Sequence, residues 1–247
     1  MLSMQIRGIL FDIGDTLLAA TRLQQFSLEE TARALVTEKW IDDSESFVQA
    51  YQMADKEPQF EEAPDLNHLY SDERIVARAF KLLALPFNAP RAERFLQLYR
   101  GKIRENLKPD TRLIKLLDDL RAQEIKLGIV SNGTTVEQLD QLTRLHIKDY
   151  FDPILISEEV GFRKPDPNIF LLAVQHWGLP PAEILVVGDR ADWDVLGAAQ
   201  VGMRSALTTQ FVDHRKATSS NVKPDLIISN LSHLLDSVRR LNEPTIC

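Results

Sequence analysis

Three short apolar runs constrain the fold of this chain more than any other feature, because each ends on the same kind of punctuation. Gln5 to Phe11 runs into Asp12-Ile13-Gly14-Asp15, Ile125 to Val130 into Ser131-Asn132-Gly133, and Ile184 to Val187 into Gly188-Asp189. The runs are continuous rather than alternating, so both faces of each strand are to be buried, as in a parallel sheet. Ile154 to Ile156, Ser205 to Thr208 and Leu226 to Ile228 are shorter strands of the same kind. Helical patterns lie between them. Leu113, Leu116, Leu117 and Leu120 fall on one helical face, and Pro167 opens a helix through Ile169, Phe170, Ala173, Val174 and Trp177 that Gly178 stops. Strands alternating with helices imply right-handed crossovers and an α/β, doubly wound parallel sheet.

Residues 18–107 break this rhythm. Leu28, Ala32, Leu35 and Val36 share a helical face, as do Ile75, Ala79, Leu82 and Leu83, and Phe95, Leu98 and Lys102 continue a third pattern. No buried strand is visible there, and polar stretches such as Asp55 to Pro64 separate the helices. The expected organisation is therefore a core of residues 1–17 and 108–247 with a helical insertion at 18–107.

Charge and composition exclude several classes. There are 29 Lys and Arg against 36 Asp and Glu, a net charge of −7, and no basic cluster, which argues against nucleic acid as a partner. No apolar run is long enough to span a membrane, and the opening residues lack a signal-peptide pattern. The single cysteine, Cys247, excludes intrachain disulfides and cysteine-based zinc clusters, so a cytoplasmic protein is expected. The five histidines show no metal-ligand spacing, and Trp40, Trp177 and Trp193 read as packing residues. Gln210 to Lys223 reads as a surface loop. Oligomeric state is not legible.

Ligands of open α/β sheets bind beyond the carboxyl ends of the strands. Asp12, Ser131, Lys164 and Asp189 occupy such places. Each alone reads as a turn, a cap or a surface lysine. Their order and contexts together carry the meaning. Ile9-Leu10-Phe11-Asp12-Ile13-Gly14-Asp15-Thr16-Leu17, Ile129-Val130-Ser131-Asn132-Gly133, Gly161-Phe162-Arg163-Lys164-Pro165-Asp166-Pro167 and Val186-Val187-Gly188-Asp189 through Asp194 follow one another along the chain. In this set the chain resembles the haloacid dehalogenase-like hydrolase superfamily, and Ser157-Glu158-Glu159-Val160-Gly161 is also typical of it.

The resemblance implies a Rossmann-like core with a helical cap inserted after the first motif. It implies Asp12 as nucleophile and Lys164 as its partner, with Lys164, the Ser131 hydroxyl and the backbone N–H groups of Asn132 and Gly133 holding phosphoryl oxygens. Mg²⁺ is the implied cofactor, on Asp12, the Gly14 carbonyl and Asp189. Asp194 would orient that shell or Lys164, Thr16 would brace the loop, and Asp192 would be surface charge. The implied activity is hydrolysis of a small phosphorylated metabolite through an aspartyl-phosphate. The implied cap begins with Arg22, Gln24, Gln25 and Phe26, which would lie near substrate.

One position departs from the family pattern. Its phosphatases carry a second Asp two residues after the nucleophile, where this chain has Gly14, and Asp15 follows one residue later. Loss of that general acid, worth roughly 10²–10⁴-fold, predicts weak activity on alkyl phosphates. Asp15 is expected either to swing inward as a substitute or, more simply, to face solvent or cap the turn. Two alternatives stay open: a metal-independent haloacid dehalogenase, which also lacks the second Asp, and a degenerate member acting as a binding module with little turnover.

Overall fold

The computed structural model describes residues 5–56, 72–212 and 222–242. His68, His214, Cys247 and most of the Asp55–Pro64 and Gln210–Lys223 stretches lie outside them. In chain order the elements are β1 (Gly8–Phe11), α1 (Ala20–Thr37), α2 (Ser44–Lys56), α3 (Asp72–Leu82), α4 (Ala89–Asn106), α5 (Thr111–Ala122), β2 (Lys126–Ser131), α6 (Thr135–Arg144), β3 (Ile154–Ile156), α7 (Ser157–Val160), α8 (Pro167–Trp177), β4 (Ile184–Gly188), α9 (Leu196–Gln200), β5 (Arg204–Thr208), β6 (Leu226–Ile228) and α10 (Leu234–Asn242). They fall into two compact units, Met1–Ala20 with Pro109–Cys247, and Thr21–Lys108.

The first unit is an α/β domain around one six-stranded sheet of order β3-β2-β1-β4-β5-β6, parallel throughout. β1 is central. The chain builds outward through β2 and β3, then returns to the other side of β1 with β4. Phe11 is in register with Ile129 of β2 and with Val187 of β4, so the residues that follow these strands emerge at one level. This reversal of strand order opens the crevice where doubly wound sheets bind ligands.

Local chemistry sets the helix ends. Asp166 caps α8 by accepting from the Asn168 N–H at 2.8 Å, Pro167 takes the first turn, and Gly178 ends the helix in the left-handed region at φ +62°. The last residue of α8 fixes it to the sheet. Trp177 lies against two strand glycines: a Cβ on Gly8 would fall 2.6 Å from its ring, and one on Gly128 2.9 Å. Its indole N–H donates to the Asp152 carbonyl at 2.7 Å.

The second unit is helical, built from α1 to α4. Its buried cluster includes Leu28, Ala32, Leu35, Phe47, Val76, Ala79, Phe80 and Phe95. Phe47 and Phe80 meet edge to face at 5.4 Å between centroids. Of the expected α3 face, Ile75 and Ala79 are buried and Leu83 packs against this cluster, while Leu82 is exposed and Phe80 is buried in its place. α2 carries no clean sequence signal of its own, yet it contributes Phe47, Ala50, Tyr51 and Ala54 to this core.

Trp177→Ala is expected to destabilise the α/β unit by about 3–5 kcal/mol, the range for a buried large aromatic, with the indole hydrogen bond lost as well. Urea unfolding followed by circular dichroism measures this, and a loss below about 1 kcal/mol would contradict the packing described.

Candidate active site

Four side chains gather at the carboxyl ends of the central strands because each follows a strand of the same sheet or the loop beside it. Asp12 is the first residue after β1, and its N–H donates to the Val187 carbonyl of β4 at 2.9 Å. Ser131 is the last residue of β2, and Asp189 follows β4 directly. Lys164 comes from the loop between α7 and α8. Asp12, Ser131, Lys164, Asp189 and Asp194 are all buried.

The Lys164 ammonium is the centre of the arrangement. Nζ donates to Asp12 Oδ1 at 2.7 Å and to Asp194 Oδ1 at 2.7 Å. Burial alone would push this lysine toward neutrality, but the two carboxylates outweigh it and hold its pKa above the ordinary value. Asp194 is placed by a π-type turn, Ala191–Val195, a geometry that recurs at functional sites. Its other oxygen accepts from the Arg190 N–H at 3.1 Å. Asp194 lies so close over the strand end that a Cβ on Gly188 would fall 2.2 Å from its carboxyl carbon, so only glycine fits there. Ser131 Oγ stands 3.5 Å from Asp12 Oδ1.

Asp189 titrates far from its ordinary range. Burial, reinforced by the negative charges of Asp12 and Asp194 and, more weakly, Asp15, pushes it up to about 8, against a partial pull from Lys164. Among the described residues no group of three or more His, Cys, Asp or Glu side chains forms a metal site. Asp12 and Asp189 are both buried here, and the charge of Asp12 acts on Asp189, so the crevice holds at least two hard oxygen donors. Hard oxygen donors carrying surplus negative charge fit Mg²⁺ better than a softer metal.

Several expectations change in detail. The Gly133 N–H is already engaged in the structure, donating to the buried Ser157 hydroxyl at 3.1 Å. The Asn132 side chain is turned onto the backbone of Lys164. Asp192 does not stand as lone surface charge, because Arg190 grips both its oxygens at 2.9 and 2.7 Å and stacks on Trp193, 4.2 Å from its centroid. Thr16 is fully buried, and among the described residues its hydroxyl has no hydrogen-bond partner. Asp15 does not face solvent. It is buried, with its backbone left-handed at φ +51°, while Gly14 keeps an ordinary φ. In the helical unit Arg22, Gln24 and Phe26 are exposed, and Gln25 is tied to Glu29 and Gln52.

Fold and site together define a hydrolase built on a doubly wound sheet with a carboxylate after its first strand. The sequence profile of the haloacid dehalogenase-like hydrolases matches residues 6–202, and the chain belongs to that family. A glyceraldehyde 3-phosphate phosphatase of Methanopyrus kandleri is 31% identical over 96% of this chain and 98% of its own. Haloacid dehalogenase-like hydrolase domain-containing protein 3 of Mus musculus is 29% identical over 95% of this chain and 94% of its own. Among solved structures, a 2-haloacid dehalogenase from Pseudomonas syringae superposes with a TM-score of 0.63 at 26% identity, covering 96% of this chain and 99% of that one. A magnesium-bound hydrolase of the same fold from Bacillus subtilis gives 0.70 at 22% identity, covering 95% and 99%.

The raised Asp189 predicts a pH-dependent stability of the metal-free protein. Between its unfolded value near 3.8 and its folded value of about 8, the folded state holds a proton that the unfolded state has lost, so stability falls as pH rises through that window. Asp189→Asn removes the penalty. It is expected to stabilise the metal-free protein on the order of 1–3 kcal/mol at pH 9, with the gain fading toward pH 4. Thermal melts across pH measure this, and a gain independent of pH would contradict the assignment.

Proposed function

We propose that this protein is a Mg²⁺-dependent phosphatase of a small phosphorylated metabolite, working through a phosphorylated Asp12. The observation that carries the reading is the pairing of Asp12 with a buried Lys164 at 2.7 Å beside Asp189. The relative named for glyceraldehyde 3-phosphate supports phosphate esters over haloacids as the substrate class. We take the helical unit Thr21–Lys108 to be the substrate-selecting cap.

In the first step an Asp12 carboxylate oxygen attacks phosphorus. The Asp12–phosphorus bond forms, and the bond to the leaving oxygen breaks, its electron pair going with the leaving group. In the second step water attacks the same phosphorus, and the carboxylate departs as inorganic phosphate is released. Splitting one displacement in two is what a covalent nucleophile contributes. Lys164 keeps its proton throughout and holds a phosphoryl oxygen by charge, while the Ser131 hydroxyl and the Asn132 amide hold the others. A bound Mg²⁺, held by Asp12, Asp189 and the Gly14 carbonyl, supplies neutralisation of phosphoryl charge.

Gly14 shapes the substrate preference. With no side chain there, the first step has no acid at that position to protonate the leaving oxygen, which favours esters whose leaving group departs unaided, such as aryl or acyl phosphates. The backbone itself does not forbid the acid. A Cβ on Gly14 would meet only the Ala20 Cβ, at 3.5 Å, an ordinary contact. The left-handed position that favours glycine belongs instead to Asp15. The two residues stand swapped relative to what each backbone position favours.

The wild-type protein is expected to hydrolyse p-nitrophenyl phosphate only with Mg²⁺, and to act far more weakly on glyceraldehyde 3-phosphate. The exchange Gly14→Asp with Asp15→Gly should raise turnover of the alkyl ester by about tenfold or more and change the aryl ester less. Asp12→Asn should abolish both activities while the circular dichroism spectrum stays that of the folded protein. Metal-independent halide release from a 2-haloacid, without phosphate release, would instead establish the dehalogenase reading. Activity that survives Asp12→Asn would overturn the nucleophile.

A further inference from the structure

Lys164 has a long, flexible side chain, and rotamer entropy works against holding its ammonium between two carboxylates. The backbone beneath it is held from outside its own loop. Asn132 Oδ1 accepts from the Lys164 N–H at 2.8 Å, and Asn132 Nδ2 donates to the Lys164 carbonyl at 3.1 Å. One side-chain amide thus satisfies both polar groups of one peptide residue, 32 positions away in sequence.

Two further rungs join the same segments. The Gly133 N–H donates to Ser157 Oγ at 3.1 Å, and that hydroxyl lies 3.4 Å from the Gly133 carbonyl. The Thr135 N–H donates to Glu158 Oε2 at 2.7 Å. Residues 132–135 follow β2, whereas Ser157 and Glu158 open α7, which leads to the Lys164 loop. The segment after Ser131 is therefore tied to the Lys164 loop through Asn132 and to α7, which leads into that loop, through Gly133 and Thr135.

We propose that Asn132 is a positioning residue for Lys164, locking the lysine backbone to the Ser131 loop so that the two groups that grip phosphoryl oxygens are held as one unit. Ser157 and Glu158 brace the same junction. Asn132 acts here through its side chain on Lys164, a role separate from any contact of its backbone amide with substrate. The inference rests on the reading of Lys164 as a phosphoryl-binding group.

A double-mutant cycle on the full chain tests it. Wild type, Asn132→Ala, Lys164→Ala and the double variant are compared for p-nitrophenyl phosphate turnover with Mg²⁺, for binding of inorganic phosphate by calorimetry, and for melting temperature. Asn132→Ala is expected to lower kcat by about 10²-fold, the scale of a misplaced catalytic group. It should also weaken phosphate binding while shifting the melt little. In the Lys164→Ala background the same change should cost nothing further, because its effect passes through the lysine. Asn132→Asp keeps the acceptor but sets a carboxylate against the Lys164 carbonyl, so it should behave like the alanine variant. It serves as the second variant if Asn132→Ala does not fold. Unchanged kinetics in both variants, or an equal loss with and without Lys164, would overturn the positioning role. A wild type that neither binds phosphate nor releases it would instead overturn the phosphatase reading.

Discussion

The structure is organised around one buried ammonium set between two carboxylates. Charges removed from water are tolerated only when paired with good geometry. Lys164 meets that demand with Asp12 and Asp194, each 2.7 Å away. Much of the surrounding design follows. Asp194 reaches the lysine because a π-type turn lowers it onto the strand end, and Gly188 leaves room for it. Asp12 reaches the lysine because β1 is central and stops one residue earlier.

That ammonium does not balance its neighbours. Asp12, Asp15, Asp189 and Asp194 are all buried, and the strain of the imbalance falls on Asp189, whose carboxyl is pushed up to about 8. A protein selected only for stability has no reason to keep such a group. Perturbed carboxylates of this kind concentrate at functional sites, where a cation or a developing charge gives them their purpose.

The sheet was legible in the sequence because buried parallel strands are short apolar runs with abrupt polar ends, and all six observed strands lie in those runs to within a residue or two. Asp12, Ser131 and Asp189 were legible for the same reason, since residues that end such runs meet at the carboxyl ends of the central strands, whereas Lys164 stands in the loop between α7 and α8 and only the order of the motifs marked it. Contacts between loops were not. Nothing in the run Ser131-Asn132-Gly133 says that the Asn132 amide lies on Lys164, or that the Gly133 N–H is occupied by Ser157, because both pairings arise from how two loops far apart in sequence fold over the sheet edge. α2 was hidden because its apolar residues, Phe47, Ala50, Tyr51 and Ala54, mix sizes and polarity along one face. The burial of Asp15 was equally invisible, since its direction depends on a backbone angle and not on residue type.

The most direct measurement is the chemical trapping of residue 12 during turnover. With no acid at Gly14 to activate water, the second step should lag the first when the leaving group is p-nitrophenolate, so the phosphorylated carboxylate should accumulate. Acid quenching followed by borohydride reduction converts an aspartyl-phosphate to homoserine, which peptide mass spectrometry detects. Conversion at position 12 during turnover, and none without substrate, is the expected result. Steady phosphate release with Asp12 unmodified in every quenched sample would contradict it.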